Sequence, residues 1–589
     1  MKKFFTVALL IAVALFALAA CGGNRERFDY DAYSDTDVSD LDTLLGQELQ
    51  EVAEDDDRLE RHDLAIVNID GENVFRFNQT RSITVAAWNR GEVRQPHISQ
   101  SYWAEWIQSE MMRLHNVQVE FVEIPRWEEV PTIANLLATR TAPDVSYTFE
   151  YPPVQTLADM GGIVDLAPLV VNYIDLIPHF YELQGADNIW WNRDPDVGTL
   201  WAFAVRHYNN ALRIATFVRG DWLDTLGMEP PTTRQEFEDM LIAFRDNAEL
   251  LLGSDAGQMI PYRLTQDVGW TGDPVITSFI PHNITDREWF VYGFDDRRFM
   301  YPGIKEGARV LNRWYNDGLI WRDFSIHSPN DTTADDLLMM GFVGSFSGNW
   351  DYPFRPNPGV IVNLTQTVGD HAYFIPVAPF ENDNGVVRMQ VPHGTDRSIF
   401  FPNTNDEPIA SLLYLDFISR PSVREFLMFG YEGIHYEVID GVYTALSLDD
   451  VPDNMFFTVI RNFDLLPTFN GIPPLANPGF ASMAHVYDGV DPGLVGATVD
   501  IGLRHAWIGP RVVTRQITSE ARGGGLQGVN GMSNGVLNRA INASVADFDS
   551  VFDTGMAEYL AAGGQAIIDE RAAAWAELYG DSDWLPDID

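Results

Sequence analysis

The chain has 589 residues, of which 46% are apolar and 21% are charged, with 85 acidic against 39 basic residues. A chain of this length exceeds one ordinary hydrophobic core, so two or more domains are expected. The formal net charge of −46 argues against nucleic acid as a partner, because binding to phosphates requires clustered cations. The chain contains a single cysteine, which excludes intramolecular disulfides.

Residues 1–21 have the layout of a bacterial signal peptide. Two lysines precede an apolar run over residues 4–20, which ends in small residues and is short for a transmembrane helix. The ending Leu18-Ala-Ala-Cys21-Gly resembles the bacterial lipobox, in which the cysteine is lipidated and becomes the mature N-terminus. We therefore expect Cys21 to anchor the protein to a membrane, outside the cytoplasm.

Residues 22–77 are polar and acidic, and they include the run Glu54-Asp-Asp-Asp57. The spacing lacks the central glycine and terminal glutamate of a calcium-binding EF-hand loop. We interpret residues 22–77 as a solvated acidic tether, within which leucines between 41 and 49 form one marginal helix. No metal ion and no cofactor is expected.

The region after this tether carries the clearest structural pattern. Three runs of β-branched or aromatic residues, 83–88, 117–124 and 142–150, alternate with two amphipathic segments, 102–115 and 127–139. This alternation predicts a βαβαβ unit. Right-handed crossovers place the carboxyl ends of all three strands at one rim, where a ligand crevice is expected.

Further helices and strands alternate along the rest of the chain. Thr233 and Glu236 form a predicted capping box, so a helix begins after Thr233. The spacing of apolar residues and of helix-breaking residues also predicts helices over 302–316, 408–419, 548–562 and 565–579, and strands over 198–205 and 341–350. The sequence therefore predicts a mixed α/β protein.

A series of motifs resembles the extracellular solute-binding proteins of bacterial ABC importers, specifically the large lipoprotein members that bind sugars. The motifs are Ala142-Pro-Asp-Val145, Gly162-Ile-Val-Asp-Leu166, Arg219-Gly-Asp-Trp-Leu-Asp-Thr-Leu-Gly227, Lys305-Glu-Gly307, Tyr315-Asn-Asp-Gly-Leu319, the segment 344–350, Glu432-Gly-Ile434 and Tyr559-Leu-Ala-Ala-Gly-Gly564. Each motif is short, but their order and their spread from about residue 80 to the C-terminus make the resemblance specific.

The resemblance implies an α/β, two-lobed periplasmic-binding-protein-like (type II) fold with a ligand cleft between the lobes. Carried over to this chain, lobe one comprises residues 78–205 plus 392–445, and lobe two comprises residues 206–391 plus 446–589. The hinges of the family fall near Val205, Pro392 and Val442. Closure of the lobes around a ligand is the motion that such hinges permit.

Candidate ligand-binding residues follow from the chemistry of sugars. Aromatic rings pack on the apolar faces of a sugar, while Asn, Arg and carboxylates bind its hydroxyls. The predicted ligand-binding residues are Trp88, Asn89, Tyr147, Glu150, Arg206, Trp270, Trp350, Asp351, Arg397 and Glu432. Each also has a structural interpretation, because a tryptophan is commonly a core residue and a charged residue commonly forms a surface ion pair.

The resulting hypothesis is a membrane-anchored receptor that binds a carbohydrate, in particular an oligosaccharide, and delivers it to the permease subunits of an ABC transporter. We expect a monomer without enzymatic activity, since the metalloprotease, hydrolase and phosphate-binding-loop signatures are absent from the sequence. Two alternatives stay open: a secreted glycan-processing enzyme, and a sensor that presents its ligand to a membrane kinase.

Overall fold

The computed structural model describes most of the chain after residue 26. The described residues are 27–38, 49, 51–89, 98–149, 152–189, 192–194, 197–208, 212–295, 298–327, 332–355, 359–381, 389–391, 395–440, 442–446, 451–455, 464–473, 475, 480, 489–509, 512, 517–522 and 525–586. The predicted signal peptide, with Cys21, and the predicted site residue Glu150 lie outside these ranges. No helix among the described residues is long and apolar enough to cross a membrane.

The strands are short and spread along the chain. They are β1 (Leu64–Ile69), β2 (Glu72–Phe77), β3 (Arg81–Asn89), β4 (Val117–Pro125), β5 (Ser146–Thr148), β6 (Phe203–Arg206), β7 (Ile214–Arg219), β8 (Ile260–Arg263), β9 (Val343–Asn349), β10 (Phe374–Val377), β11 (Met389–Val391), β12 (Thr395–Phe400), β13 (Tyr436–Ile439), β14 (Val442–Ala445) and β15 (Ala506–Ile508).

Helices separate most of these strands, as the α/β prediction requires. They are α1 (Asp57–Arg61), α2 (Tyr102–His115), α3 (Glu129–Ala138), α4 (Pro152–Asp159), α5 (Ala167–Tyr173), α6 (Pro178–Gln184), α7 (Ala186–Ile189), α8 (Gly220–Leu226), α9 (Arg234–Asp246), α10 (Ala248–Leu252), α11 (Val268–Thr271), α12 (Asp273–Thr277), α13 (Asp286–Tyr292), α14 (Ile304–Asn316), α15 (Thr333–Met339), α16 (Val360–Val368), α17 (Pro408–Ser419), α18 (Pro421–Phe429), α19 (Pro492–His505), α20 (Thr518–Arg522), α21 (Met532–Asn542), α22 (Phe548–Tyr559) and α23 (Gln565–Tyr579).

Two separate hydrophobic cores organise the chain. The first core is built from buried residues of 52–205, 399–429 and 465–480. The second core is built from buried residues of 212–380 and 490–575. We call the body around each core the first lobe and the second lobe.

The first lobe contains the predicted βαβαβ unit, which the structure confirms as β3, α2, β4, α3 and β5. Strands β3 and β4 are parallel, from the pair Arg81↔Val117 to the pair Asn89↔Pro125, and a parallel bridge joins Val85 to Val145 just before β5. Strand β12 then pairs antiparallel with both β5 and β6. Strands β3, β4, β5 and β6 therefore run in one direction.

The carboxyl ends of these four strands lie at the edge that faces the second lobe. Strand β6 ends at Arg206, and the chain then passes directly to β7 in the second lobe. In the second lobe the sheet order is β10-β7-β9-β8, and Ile214 at the start of β7 pairs with Asn349 at the end of β9. The end of β9 therefore lies at the edge where the chain enters from the first lobe, so the two rims lie on either side of this crossing.

The described N-terminal region differs from the predicted acidic tether. Strands β1 and β2 form a hairpin, and Leu64, Val74 and Phe77 belong to the first core. The turn between them is Asp70-Gly71, with φ of 55° and 91°, which is the backbone geometry of a tight hairpin turn. The acidic composition concealed this hairpin, because the charged residues occupy its exposed positions.

The first core also extends further along the chain than predicted. Leu465, Leu466, Phe469 and Phe480 are buried in the first core, although the predicted boundary placed everything after residue 445 in lobe two. Strand β14, where a hinge was predicted, pairs with β13 in a hairpin. The chain reaches the second core again by Val490.

Candidate functional site

The rim of the first lobe is built around a stack of side chains that follow three strand ends. The rings of Trp88 and Phe149 are stacked, with centroids 4.1 Å apart and planes at 19°. The guanidinium carbon of Arg126 lies 3.4 Å from the centroid of Phe149 on this stack. Because Trp88 is in β3, Arg126 follows β4 and Phe149 follows β5, the parallel sheet itself brings the three side chains together.

An ion pair fixes Arg126 in this position. Its Nη1 donates to Oε2 of Glu129 at 2.8 Å, and Oε1 of the same carboxylate accepts from the backbone N–H of Phe149 at 3.1 Å. Glu129 therefore ties the first turn of α3 to the end of β5. The arginine keeps a partly exposed side chain at the rim, with 17% relative exposure.

The predicted residue Arg397 supports the same stack from within the lobe. It is 2% exposed, and its guanidinium carbon lies 5.2 Å from the ring of Trp88 and 5.4 Å from the ring of Phe149. Its Nη1 donates to the carbonyl oxygen of Leu466 at 3.0 Å. The structure thus places Arg397 behind the aromatic rings, where it holds the segment after residue 464 against the sheet.

Two predicted contact residues are buried in this conformation. Trp88 is 1% exposed, and Tyr147 is fully buried with its hydroxyl donating to the carbonyl oxygen of Asp464 at 2.9 Å. Phe149 and Arg126 lie on the side of the stack nearer the rim. Direct ligand contact by Trp88 or Tyr147 stays a prediction, which requires the covering side chains to move.

Polar side chains surround a carboxylate at the same rim. Glu123, two residues before the end of β4, is exposed and accepts from Nδ2 of Asn89 at 3.3 Å and from Oγ of Ser99 at 3.2 Å. The predicted site residue Asn89 is thus held in place by a neighbouring acid. A carboxylate, an amide and a hydroxyl in one cluster present both donors and acceptors to a polyol.

The rim of the second lobe presents Trp270. This tryptophan is partly buried, its Nε1 donates to Oδ1 of Asn349 at 2.7 Å, and the guanidinium carbon of Arg213 lies 4.5 Å from its ring. Trp270 and Ala506 both pack against Ile214, outside the second core. The side chain of Trp270 therefore lies beside the start of β7 and the end of β9, on the edge where the chain enters from the first lobe.

Trp350 and Asp351, the other predicted ligand-binding residues discussed for this lobe, have mostly buried side chains. Trp350 is 7% exposed and belongs to the second core, and its backbone N–H donates to the carbonyl oxygen of Arg213 at 3.2 Å. Asp351 forms an ion pair with Arg355 at 2.8 Å, and both side chains are largely buried. These residues directly follow Asn349, which accepts from Trp270, and their contact with a ligand stays a prediction.

Arg206 and Glu432 lie at the margins of the first-lobe rim. The backbone N–H of Arg206 donates to Oε1 of Gln184 at 2.9 Å, and its carbonyl oxygen accepts from the N–H of Asn470, at the point where the chain crosses between lobes. Glu432 is exposed and follows Tyr431, whose hydroxyl lies 2.6 Å from the hydroxyl of Tyr102 in the first turn of α2. No described contact links Glu432 to the Phe149 stack.

Sequence reasoning missed Arg126, Phe149, Arg213 and Asn349. A signal existed for Phe149, because it lies two residues after Tyr147 and strand side chains repeat with a period of two. The roles of the other three depend on contacts between separate elements, which a single sequence does not reveal. Among the described residues, no cluster of His, Cys, Asp and Glu is arranged to hold a metal ion.

Comparison with known proteins supports the architecture. The sequence matches no protein-family model and no curated protein. Solved structures do match. The structure of alginate-binding protein AlgQ2 without calcium ion matches with a TM-score of 0.59 and 15% identity, over 85% of this chain and 98% of that one. The fold is that of a two-lobed solute-binding protein. The predicted fold class is confirmed.

Two further solved structures show the same likeness. An HMO-binding, ABC-transporter-associated solute-binding protein from Bifidobacterium longum infantis matches with a TM-score of 0.56 and 16% identity, over 85% of this chain and 100% of that one. The S. pneumoniae ABC-transporter substrate-binding protein FusA in complex with kestose matches with a TM-score of 0.57 and 13% identity, over the same shares. At these identities the likeness establishes the fold.

Proposed function

We propose that the protein is a membrane-anchored, extracytoplasmic receptor that binds an oligosaccharide between its lobes and delivers it to an ABC transporter. The observation that carries this proposal is the pair of rims on either side of the crossing from β6 to β7, with the Phe149 stack on one lobe and Trp270 on the other. The solved structures of the same fold include proteins whose names specify binding of alginate and of HMO, and one that holds kestose.

The chemistry of the two rims suits a sugar. An aromatic face gains both buried apolar area and contact with the C–H face of a pyranose or furanose ring. Glu123 accepts hydrogen bonds from hydroxyl groups, while Asn89 and Arg126 donate to their oxygens. The rim of the first lobe supplies these polar groups and the Phe149 stack, and the rim of the second lobe supplies Trp270. Because the groups are spread over two separate rims, the cleft is suited to several linked sugar rings in preference to one.

The order of the described elements requires three crossings of the chain between the lobes, and these provide the means of closure. They lie between Arg206 and Ile214, between Val391 and Thr395, and between Phe480 and Val490. A few backbone dihedral changes at such crossings rotate one lobe relative to the other. A ligand that contacts both rims favours the closed form, because it binds that form with more contacts than the open one.

The lipobox ending at Cys21 supports attachment to the membrane and export from the cytoplasm. A receptor that is tethered beside the importer meets its permease subunits at high effective concentration. We propose that the receptor acts as a monomer in this step and that its partners are the carbohydrate, the permease subunits and the lipid bilayer.

Isothermal titration calorimetry of the full chain against oligosaccharides, peptides and monomeric polyols tests the proposal. We expect heat of binding with at least one oligosaccharide, and a loss of affinity of about tenfold in Trp270→Ala, in keeping with about 1.4 kcal/mol for one aromatic contact. Trp584→Ala is the matched control, because Trp584 is 55% exposed and follows the last helix. Binding of peptides without binding of any oligosaccharide would overturn the proposal.

A further inference from the structure

The segment 27–38 lies against the first lobe along its whole length. We call this segment the strap. Its apolar side chains Phe28, Tyr30, Tyr33 and Val38 all pack against the first core. The sequence predicted a solvated tether here, so this close packing is unexpected.

The start of the strap is attached to the loop before α17. Nε of Arg27 donates to Oδ1 of Asp406 at 2.9 Å, and its Nη2 donates to the carbonyl oxygen of Asn403 at 3.1 Å. The hydroxyl of Tyr30 donates to the carbonyl oxygen of Asn405 at 2.8 Å. Burial of the tyrosine is the main reason that its pKa is raised. Three contacts therefore converge on the segment 403–406.

The middle of the strap joins an aromatic network. The hydroxyls of Tyr33 and Tyr173 are 2.5 Å apart, and Nε2 of His62 lies 2.6 Å from the hydroxyl of Tyr173. Phe28 stacks on Tyr33, with centroids 5.6 Å apart and planes at 6°. These contacts tie the strap to α5 and to the residue that follows α1.

The end of the strap is fitted just as closely. Nδ2 of Asn172 donates to Oγ1 of Thr36 at 3.1 Å. A Cβ at Gly198 would lie 2.6 Å from Cγ2 of Val38, and this glycine also has a φ of +78°. A larger residue at position 198 would collide with the strap, so the surface of the first lobe is shaped to receive it.

We propose that the strap holds the first lobe, in a fixed orientation, against the lipid surface, with the segment 403–406 towards the membrane. This inference rests on the proposed lipid anchor at Cys21. A chain advances at most about 3.5 Å per residue, so Arg27 stands within about 20 Å of the anchor. A tether that remained free up to the first core would allow a reach several times longer.

The strap therefore gives the two lobes different roles at the membrane. The first lobe is fixed by its contacts with residues 27–38, while the second lobe is joined to it through the crossings near Arg206 and Thr395 and between Phe480 and Val490. Ligand binding then moves the second lobe relative to the bilayer and leaves the first lobe in place.

Energy transfer in vesicles tests this arrangement. The single native cysteine is consumed by lipidation, so one introduced cysteine is the only free thiol. A donor dye is attached at Met160→Cys in the first lobe or at Leu250→Cys in the second, since both residues are well exposed, at 65% and 63%. Met160 precedes Gly161, whose carbonyl oxygen accepts from Asn403. The lipidated full chain is reconstituted in phosphatidylcholine vesicles that contain an acceptor-labelled lipid.

We expect transfer from position 160 to be at least twofold more efficient than transfer from position 250. In the double variant Arg27→Ala/Tyr30→Ala this difference should disappear, while Asp35→Asn, an exposed substitution on the same strap, should preserve it. Equal transfer from the two positions in the unaltered protein would overturn the inference, as would a difference that survives the double variant.

A second measurement separates this inference from the anchor on which it rests. In Cys21→Ala protein without lipid, hydrogen exchange should show residues 30–36 protected, and the double variant should lose this protection at least tenfold. If the unaltered chain does not associate with vesicles but the strap is protected, the anchor is wrong and the docking stands. If the chain associates with vesicles but the strap exchanges freely, the fixed orientation is wrong.

Discussion

The guanidinium of Arg126 lies over the ring of Phe149, with 3.4 Å between its central carbon and the ring centroid. A cation over an aromatic face contributes about 0.5–2 kcal/mol, depending on how far it is desolvated. Here the cation is also held by Glu129, so its position is set before any ligand arrives. The first lobe therefore presents a fixed planar donor at its rim, and ligand contact by the buried Trp88 stays a prediction.

Replacement of this arginine should weaken ligand binding. In Arg126→Ala we expect the dissociation constant for the oligosaccharide to rise at least tenfold, because a charge-assisted donor is lost and Phe149 is left uncovered. Arg126→Lys should recover only part of this loss, since lysine does not offer a planar group with several donors. Calorimetry gives the affinities. Arg113→Ala, which removes an exposed ion pair on α2, is the control and should bind normally.

A second prediction concerns the start of α20, a helix of the second lobe that contacts α4 of the first lobe. The backbone N–H groups of Thr518 and Ser519 each donate to a carboxylate oxygen of Glu570 at 2.8 Å, so α23 holds the start of α20. In Glu570→Gln one of these acceptors becomes a donor. We expect hydrogen exchange over residues 518–520 to accelerate about tenfold.

The matched control for this change lies on the same helix. Asp569 accepts from the side-chain amide of Gln565 at 2.8 Å, one turn earlier, and has no described contact with α20. Asp569→Asn should leave exchange at residues 518–520 unchanged. Equal acceleration in both variants would show that α23 had loosened as a whole, and this would contradict the specific role of Glu570.

A third prediction concerns stability of the second lobe. Asp273 and Arg298 form an ion pair in which the side chains are only 3% and 5% exposed. Removal of one member of a buried pair leaves an uncompensated charge, which costs about 3 kcal/mol or more. Asp273→Asn should lower the free energy of unfolding by this amount in urea titrations. Asp246→Asn should change it by less than about 1 kcal/mol, because the pair with Arg245 is exposed.

A fourth prediction follows from a buried histidine. Nδ1 of His115 donates to the carbonyl oxygen of Phe75 at 2.7 Å, and Nε2 has no hydrogen-bond partner among the described residues. Burial is the largest cause that lowers the pKa of His115 to about 4, and the nearby charge of Arg420 adds to it. The folded protein therefore resists protonation at this site, whereas the unfolded chain binds a proton near pH 6.5.

The direction of the pH dependence follows from these two values. Between pH 6.5 and pH 4 the unfolded state binds more protons than the folded state, so stability falls as the pH falls. Above pH 6.5 both states are neutral at this residue and it contributes no dependence. Urea titrations from pH 7.5 to pH 4 should therefore give a shallower decline in His115→Gln than in the unaltered protein. His371→Gln, at an exposed position, should retain the original decline.

Local patterns in the sequence were sufficient for much of the fold. The capping box of Thr233 and Glu236 is present at the start of α9, and Pro408 and Ser419 bound α17 as predicted. The break at Gly563, with a φ of 139°, separates α22 from α23. These features depend on neighbouring residues, so a single sequence contains the information that specifies them.

The features that were missed depend on long-range contacts or on competing signals. The hairpin at Asp70-Gly71 carries a standard turn sequence, but the surrounding acidic residues favoured a tether. Arg126 reaches Phe149 only because two strands separated by a helix are aligned in one sheet. The sequence therefore predicted the strands whose ends form the rim of the first lobe, but not that Arg126 and Phe149 pack over Trp88 there.

The composition of the first core sets the order in which the protein can fold. Its last members, Phe469 and Phe480, are synthesised after all four strands of the β10-β7-β9-β8 sheet of the second lobe. The first lobe therefore cannot complete its interior until more than four-fifths of the chain has emerged, and its closure joins segments separated by a long loop. For the exported receptor that we propose, this late completion leaves the first lobe unfinished until most of the chain has been synthesised.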